Sequence, residues 1–161
     1  MTEMRVRMYI VAGLLLILFF FSSKAQAVGC GCRFASAAQT TFWGKENIIL
    51  KEPHPVRLIQ GKVIAGGRAL SGVLVEIYDN PESLLMDWRE REAMKSRQQR
   101  IAACVTSSNG KFCFPKLSSG RYEVRFSKAT DFDSTSIYVI VDPTRSPNKG
   151  KKLIVEMQLS H

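Results

Sequence analysis

The strongest constraint on the fold is a series of short runs in which apolar and polar residues alternate, each closed by turn-forming residues. Gly72–Tyr78 (GVLVEIY) puts Val73, Val75 and Ile77 on one face, and Arg121–Ser127 (RYEVRFS) sets Tyr122, Val124 and Phe126 against Arg121, Glu123 and Arg125. A period of two is the pattern of a pleated strand with one side in the core. Around these lie Leu58–Ile64 before Gly66-Gly67, and Lys111–Phe114 after the turn dipeptide Asn109-Gly110. Thr135–Val141 stops at Asp142-Pro143, and Leu153–Leu159 closes the chain. With a strand near Arg100–Val105, the spacing predicts seven short strands in an all-β, seven-stranded antiparallel sandwich. No helix recurs between strands as a parallel α/β sheet requires. The chain has 161 residues, 45% of them hydrophobic, which suits one domain and one core. An eight-stranded α/β barrel, at about 250 residues, is excluded.

Two segments depart from the strand rhythm. Residues 28–57 read as an irregular lead-in, with Phe42-Trp43 and Ile48-Ile49-Leu50 as its apolar points and the sandwich proper spanning 58–161. Residues 81–100 read as a helical insert between the second and third strands. Asn80-Pro81-Glu82 has the cap, first-turn proline and early acid of a helix start. Leu84, Leu85 and Trp88 would dock its first turns, and Asp87 and Arg91 stand four residues apart.

The N-terminus reads as an address. Arg5 and Arg7 precede the apolar run Tyr9–Phe21, and Ala25-Gln26-Ala27 offers small residues at a cleavage position. Those are the three parts of a secretory signal, expected to occupy residues 1–27 and to deliver the rest to a periplasmic or extracellular space. The run has 13 residues, and a stable span needs about 20. A competing reading takes Ala27-Val28-Gly29-Cys30 as a lipoprotein box acylated at Cys30. Ala27, where a large aliphatic is usual, counts against it. Membrane association is expected only through that lipid or a retained leader. The whole chain carries a charge of +9, and losing residues 1–27 leaves +7.

All four cysteines, Cys30, Cys32, Cys104 and Cys113, fall in the exported part, where an even number suggests disulfides. If Val105 pairs with Phe112 across the turn, Cys104 comes opposite Cys113, and a bridge between them is expected. Cys30 and Cys32 can pair only through a tight, strained ring. Zinc is disfavoured, because the Cys spacings are wrong and no His lies near.

Four fragments in order complete the reading: Gly61-Lys62-Val63; Leu70-Ser71-Gly72-Val73-Leu74-Val75; Thr106-Ser107-Ser108-Asn109-Gly110-Lys111-Phe112; and Leu117-Ser118-Ser119-Gly120-Arg121-Tyr122. Together they resemble the carboxypeptidase regulatory-like domain, over about Leu58 to Leu159. The resemblance implies an Ig-like, prealbumin-like (transthyretin-like) β-sandwich that performs no catalysis. It also implies a role in binding or structural support at the cell envelope, with an envelope protein or a glycan as partner. The 81–100 insert is atypical of that family.

Motifs for chemistry are sparse. Asp131-Phe132-Asp133-Ser134-Thr135 matches the DxDxT pattern of aspartyl-nucleophile phosphatases, but it precedes a strand of an antiparallel fold and reads as a solvated loop. His54 reads as a surface residue in a rigid Pro-flanked turn. No phosphate loop, HExxH or GxSxG occurs, so no enzyme activity and no cofactor are expected. Fold relatives that bind starch make a carbohydrate-binding module the alternative, with Trp43, Trp88, Tyr78 and Tyr138 as a stacking platform. The basic residues Arg89 and Arg91 of the insert complete the candidate partner surface. Lys149, Lys151 and Lys152 form a second basic group that could attract anionic polymers or lipid head groups. Nucleic acid is an unsuitable partner for an exported protein.

Overall fold

The computed structural model describes residues 33–34, 47–79, 81–87, 89–90, 93, 97–129, 131–144 and 152–160. The expected leader, Cys30, Cys32, Trp43, Trp88 and Arg91 lie outside the described residues. No helix among the described residues is long and apolar enough to cross a membrane.

Ten β segments among the described residues carry the fold: β1 (Arg33–Phe34), β2 (Asn47–Val56), β3 (Gln60–Ala65), β4 (Arg68–Ala69) and β5 (Leu74–Tyr78). After these come β6 (Arg100–Val105), β7 (Lys111–Cys113), β8 (Gly120–Ser127), β9 (Ser134–Val141) and β10 (Leu153–Glu156). They form a six-stranded sheet in the order β1-β6-β5-β8-β9-β2 and a four-stranded sheet, β10-β3-β4, with β7 also on β3. The class is all-β, as the alternation requires. The expectation of seven antiparallel strands is corrected. Both sheets are mixed, because β2 runs parallel to β9 and β10 runs parallel to β3. Alternation fixes which side chains point inward, but it carries no information about the direction of a neighbour from a distant part of the chain.

The lead-in boundary also moves. Residues 47–56 are a ten-residue edge strand. The ladder with β9 slips between Leu50 and His54, where Pro53 cannot donate to a ladder. Edge position and bulge are where a strand tolerates proline. His54 is therefore in a strand rather than a turn, with Nδ1 2.8 Å from the Glu52 carbonyl oxygen.

The core lies between the sheets and is made by the inward rows. Val75 and Ile77 of β5, Val124 and Phe126 of β8, and Ile137 and Val139 of β9 face Val63, Phe112, Leu153 and Val155 of the other sheet. Each such side chain stabilises by roughly 1.5–3 kcal/mol when fully buried. Phe112 and Phe126 meet across the layers edge to face, with centroids 5.4 Å apart at 68°. Close approach of backbones needs glycine at two points. At Gly61 a Cβ would lie 2.0 Å from the Leu153 carbonyl oxygen, and at Gly110 (φ 69°) it would lie 2.5 Å from that of Val63.

The segment Cys104–Cys113 is not a two-stranded hairpin. A tight turn, closed by Gly110 N–H to Ser107 O (2.9 Å) and Ser107 N–H to Lys111 O (3.0 Å), hands the chain from one sheet to the other. Cys104 pairs with Val75 in the six-stranded sheet, and Cys113 pairs with Gln60 in the four-stranded one. The expected Cys104–Cys113 bridge is thereby corrected: Cys104 is a thiol, fully buried in the core.

Candidate functional site

Outward rows of a sandwich normally meet water, so their burial marks something placed on top. On the six-stranded sheet the outward residues Glu76, Glu123, Arg125, Ser127, Ser134, Ser136 and Tyr138 are all buried. The cover comes from the excursion after β5. Pro81–Leu85 is a 3-10 turn that packs on β8, β9 and β2. Glu82 reaches Arg121 of β8 at 3.6 Å. Pro81 is buried, whereas Leu85, expected to dock, is 55% exposed. The Asp87 carboxylate accepts from the backbone N–H groups of Arg89 (2.9 Å) and Glu90 (3.0 Å), as a helix N-cap does. That cap lies seven residues beyond the expected one at Asn80.

Beneath the excursion the ladders align a charged network. Tyr78, Glu123 and Tyr138 are cross-strand neighbours, and Glu76 and Arg125 form the next row. Arg125 donates to both oxygens of Glu123, from Nε at 2.6 Å and Nη2 at 3.1 Å. Its guanidinium lies 3.9 Å above the Tyr78 ring. Arg100 donates to Glu76 at 2.9 Å, and the Tyr78 hydroxyl donates to the same carboxylate oxygen at 3.3 Å. Gln98, at the end of the excursion, donates to Glu123 (2.8 Å) and to the Asp79 carbonyl (3.3 Å), and accepts from Arg125. Two carboxylates and two guanidiniums leave the network without net charge. Burying ions costs several kcal/mol each unless they are paired and bonded, and here they are.

Such a cluster holds the excursion to the sheet. It does not suit acid–base chemistry, since each carboxylate is neutralised by an arginine and sealed from solvent.

The sequence candidates distribute as follows. Tyr138 is 8% exposed and Tyr78 is capped by Arg125, so neither ring offers an open face for a sugar. Arg89 is exposed on the excursion. Asp131 is exposed, but Asp133 is buried, with its N–H bonded to Gln158 O, so the loop read as solvated is partly packed. Both acids precede β9 rather than follow a parallel strand. Among the described residues, no three His, Cys, Asp or Glu side chains are placed to share a metal.

Sequence reading missed Glu76, Arg100, Glu123 and Arg125 as a unit. Opposite charges two apart on one strand face, beside an outward Glu on a neighbouring strand, are the signal that would have found them. No protein-family model matches the chain, and no curated protein matches it.

Proposed function

We propose that this is an exported, non-catalytic β-sandwich of the carboxypeptidase regulatory-like type. It acts by binding or by structural support at the cell envelope. The observation that carries the reading is the neutralised network of Glu76, Arg100, Glu123 and Arg125: the most conspicuous ionisable groups hold an excursion onto the sheet. Residues quoted for the family resemblance have packing tasks that suit it. The Tyr122 hydroxyl donates to Ser118 O at 3.1 Å, as a tyrosine corner would. Thr106 Oγ1 accepts from Val73 N–H and donates to Leu70 O, both at 3.0 Å, joining the two sheets' connections.

Export rests on the three-part leader, with cleavage after Ala27 and an acylated Cys30 as the competing outcome. In the oxidising compartment Cys113 enters a disulfide, and with Cys104 a buried thiol the cysteines the sequence leaves as candidates for its partner are Cys30 and Cys32. The register of β1 supports this, since Arg33, the residue after Cys32 in the sequence, lies beside Val105.

Intact mass of the protein recovered from the exporting cell tests the reading. Loss of residues 1–27 with no lipid supports it, and a retained leader overturns it. Thiol labelling of the unfolded, unreduced protein should mark Cys104 and leave Cys113 unmarked.

A further inference from the structure

The opposite side of the sandwich carries charges that no carboxylate among the described residues neutralises. The outward face of β3, β7 and β10 forms an open groove of about 720 Å³, bounded by the Ser107–Asn109 turn on one side and by Lys152–Ile154 on the other. Lys62 and Lys111 stand directly opposite each other on adjacent antiparallel strands. Like charges in that position destabilise a sheet. Lys152 adds a third ammonium just before Leu153, which pairs with Gly61. Among the described residues none of the three has a carboxylate at ion-pair distance, whereas Arg100, Arg121 and Arg125 each have one. Glu156, the acid on β10, stands beside Ile64 and outside the groove. Between Asp142 and Glu156 the sequence holds four basic residues and no acidic one.

We propose that this groove docks an acidic polysaccharide, with its carboxylates over the three lysines. The lysines sit on three different segments, so their charges follow a line across the sheet rather than converge on one point. Lysine is a compact, flexible charge without arginine's bidentate fork, and it suits repeated anions of no fixed orientation. Exposed Ser108 and Asn109 supply hydroxyl and amide groups for sugar hydroxyls. A concave groove fits a chain better than a flat bilayer. The proposal deepens the binding reading above and names its partner class. Its test uses purified protein, so failed export and failed docking give separate results.

The experiment is titration of the protein, as recovered after export, with oligogalacturonate and with the same oligomer methyl-esterified. Binding to the acidic form alone is expected, weakening with salt by a log–log slope of about two to three if each lysine releases a counterion. Joint replacement of Lys62, Lys111 and Lys152 by Ala should reduce affinity about a hundredfold, and each single replacement about fivefold, if each behaves like a lysine at an anionic surface. Lys51→Ala, on the edge of the other sheet, should leave affinity unchanged. If the triple variant fails to melt like the parent, Lys62→Glu and its rescue by Lys62→Arg provide the same comparison. Equal binding of the esterified oligomer overturns the proposal, as does full affinity in the triple variant. Binding to phosphatidylglycerol vesicles that oligogalacturonate fails to displace also overturns it.

Discussion

The two outer faces of this sandwich treat charge in opposite ways. On the six-stranded sheet, Glu76, Glu123 and Arg125 are withdrawn from water; Glu76 is paired with the half-buried Arg100, and Glu123 and Arg125 pair with each other and bond to Gln98 of the excursion. On the four-stranded sheet, Lys62, Lys111 and Lys152 stay in water, share one sign and have no carboxylate partner among the described residues. Both sets occupy outward positions of alternating strands. Burial separates them, because a low-dielectric setting enforces neutrality while water screens repulsion. One face thus holds the molecule's own chain, and the other presents its lysines to water.

The comparison breaks if the buried network is dispensable. Arg125→Ala should destabilise the protein by about 3–5 kcal/mol, because it strands Glu123 under the excursion without a cation. Arg121→Ala on the same strand removes an exposed pair with Glu82 and should cost at most about 1 kcal/mol. Urea denaturation of both variants measures the contrast, and equal effects would remove the distinction between the faces. Next in size is Gly61→Ala. Its Cβ would meet the Leu153 carbonyl oxygen at 2.0 Å, so β10 must leave β3 or bend. A loss of about 3 kcal/mol is expected. Faster amide exchange confined to Leu153–Glu156 would show that the open face is the part disturbed.

Much of the inner architecture was legible in the sequence, because Val75, Ile77, Val124 and Phe126 advertise the core by period alone. What covers an outer face was not. Glu123 and Arg125 look like solvated residues until an excursion of uncertain docking is laid over them. Strand direction was equally hidden, since β2 and β9 are far apart in the chain and either orientation satisfies the pattern. The Cys104–Cys113 expectation failed for a related reason. Local spacing suggested a hairpin, whereas Phe112 and Val105 serve different sheets. The open lysine face was half visible: Lys152 stood in a basic run, but Lys62 and Lys111 join it only through the β3–β7 register.

Thr135 sharpens the rule that buried polar groups are matched. Its backbone partner Phe126 faces the core, so its side chain does too, and its Oγ1 is buried without a hydrogen-bond partner among the described residues. Replacement by Val keeps the shape and removes the unsatisfied hydroxyl. Thr135→Val should therefore stabilise by about 1 kcal/mol, read as a rise in melting temperature. A loss of similar size would mean that the hydroxyl is engaged after all.

The smallest effect concerns the open face itself. Lys62→Ala and Lys111→Ala each remove one member of a like-charged cross-strand pair, so each should change stability by no more than about 0.5 kcal/mol, and toward greater stability. The double variant should gain less than the two singles added together, because the second replacement finds no repulsion left to relieve. Added salt should erase the gain, as it screens the pair in the parent protein. A double-mutant cycle at low and high salt measures this directly. If the two lysines prove independent at low salt, they do not repel each other, and the open face holds its charge at no cost to the fold. If they repel as their register requires, the fold tolerates a small penalty at the position where an acidic chain would relieve it.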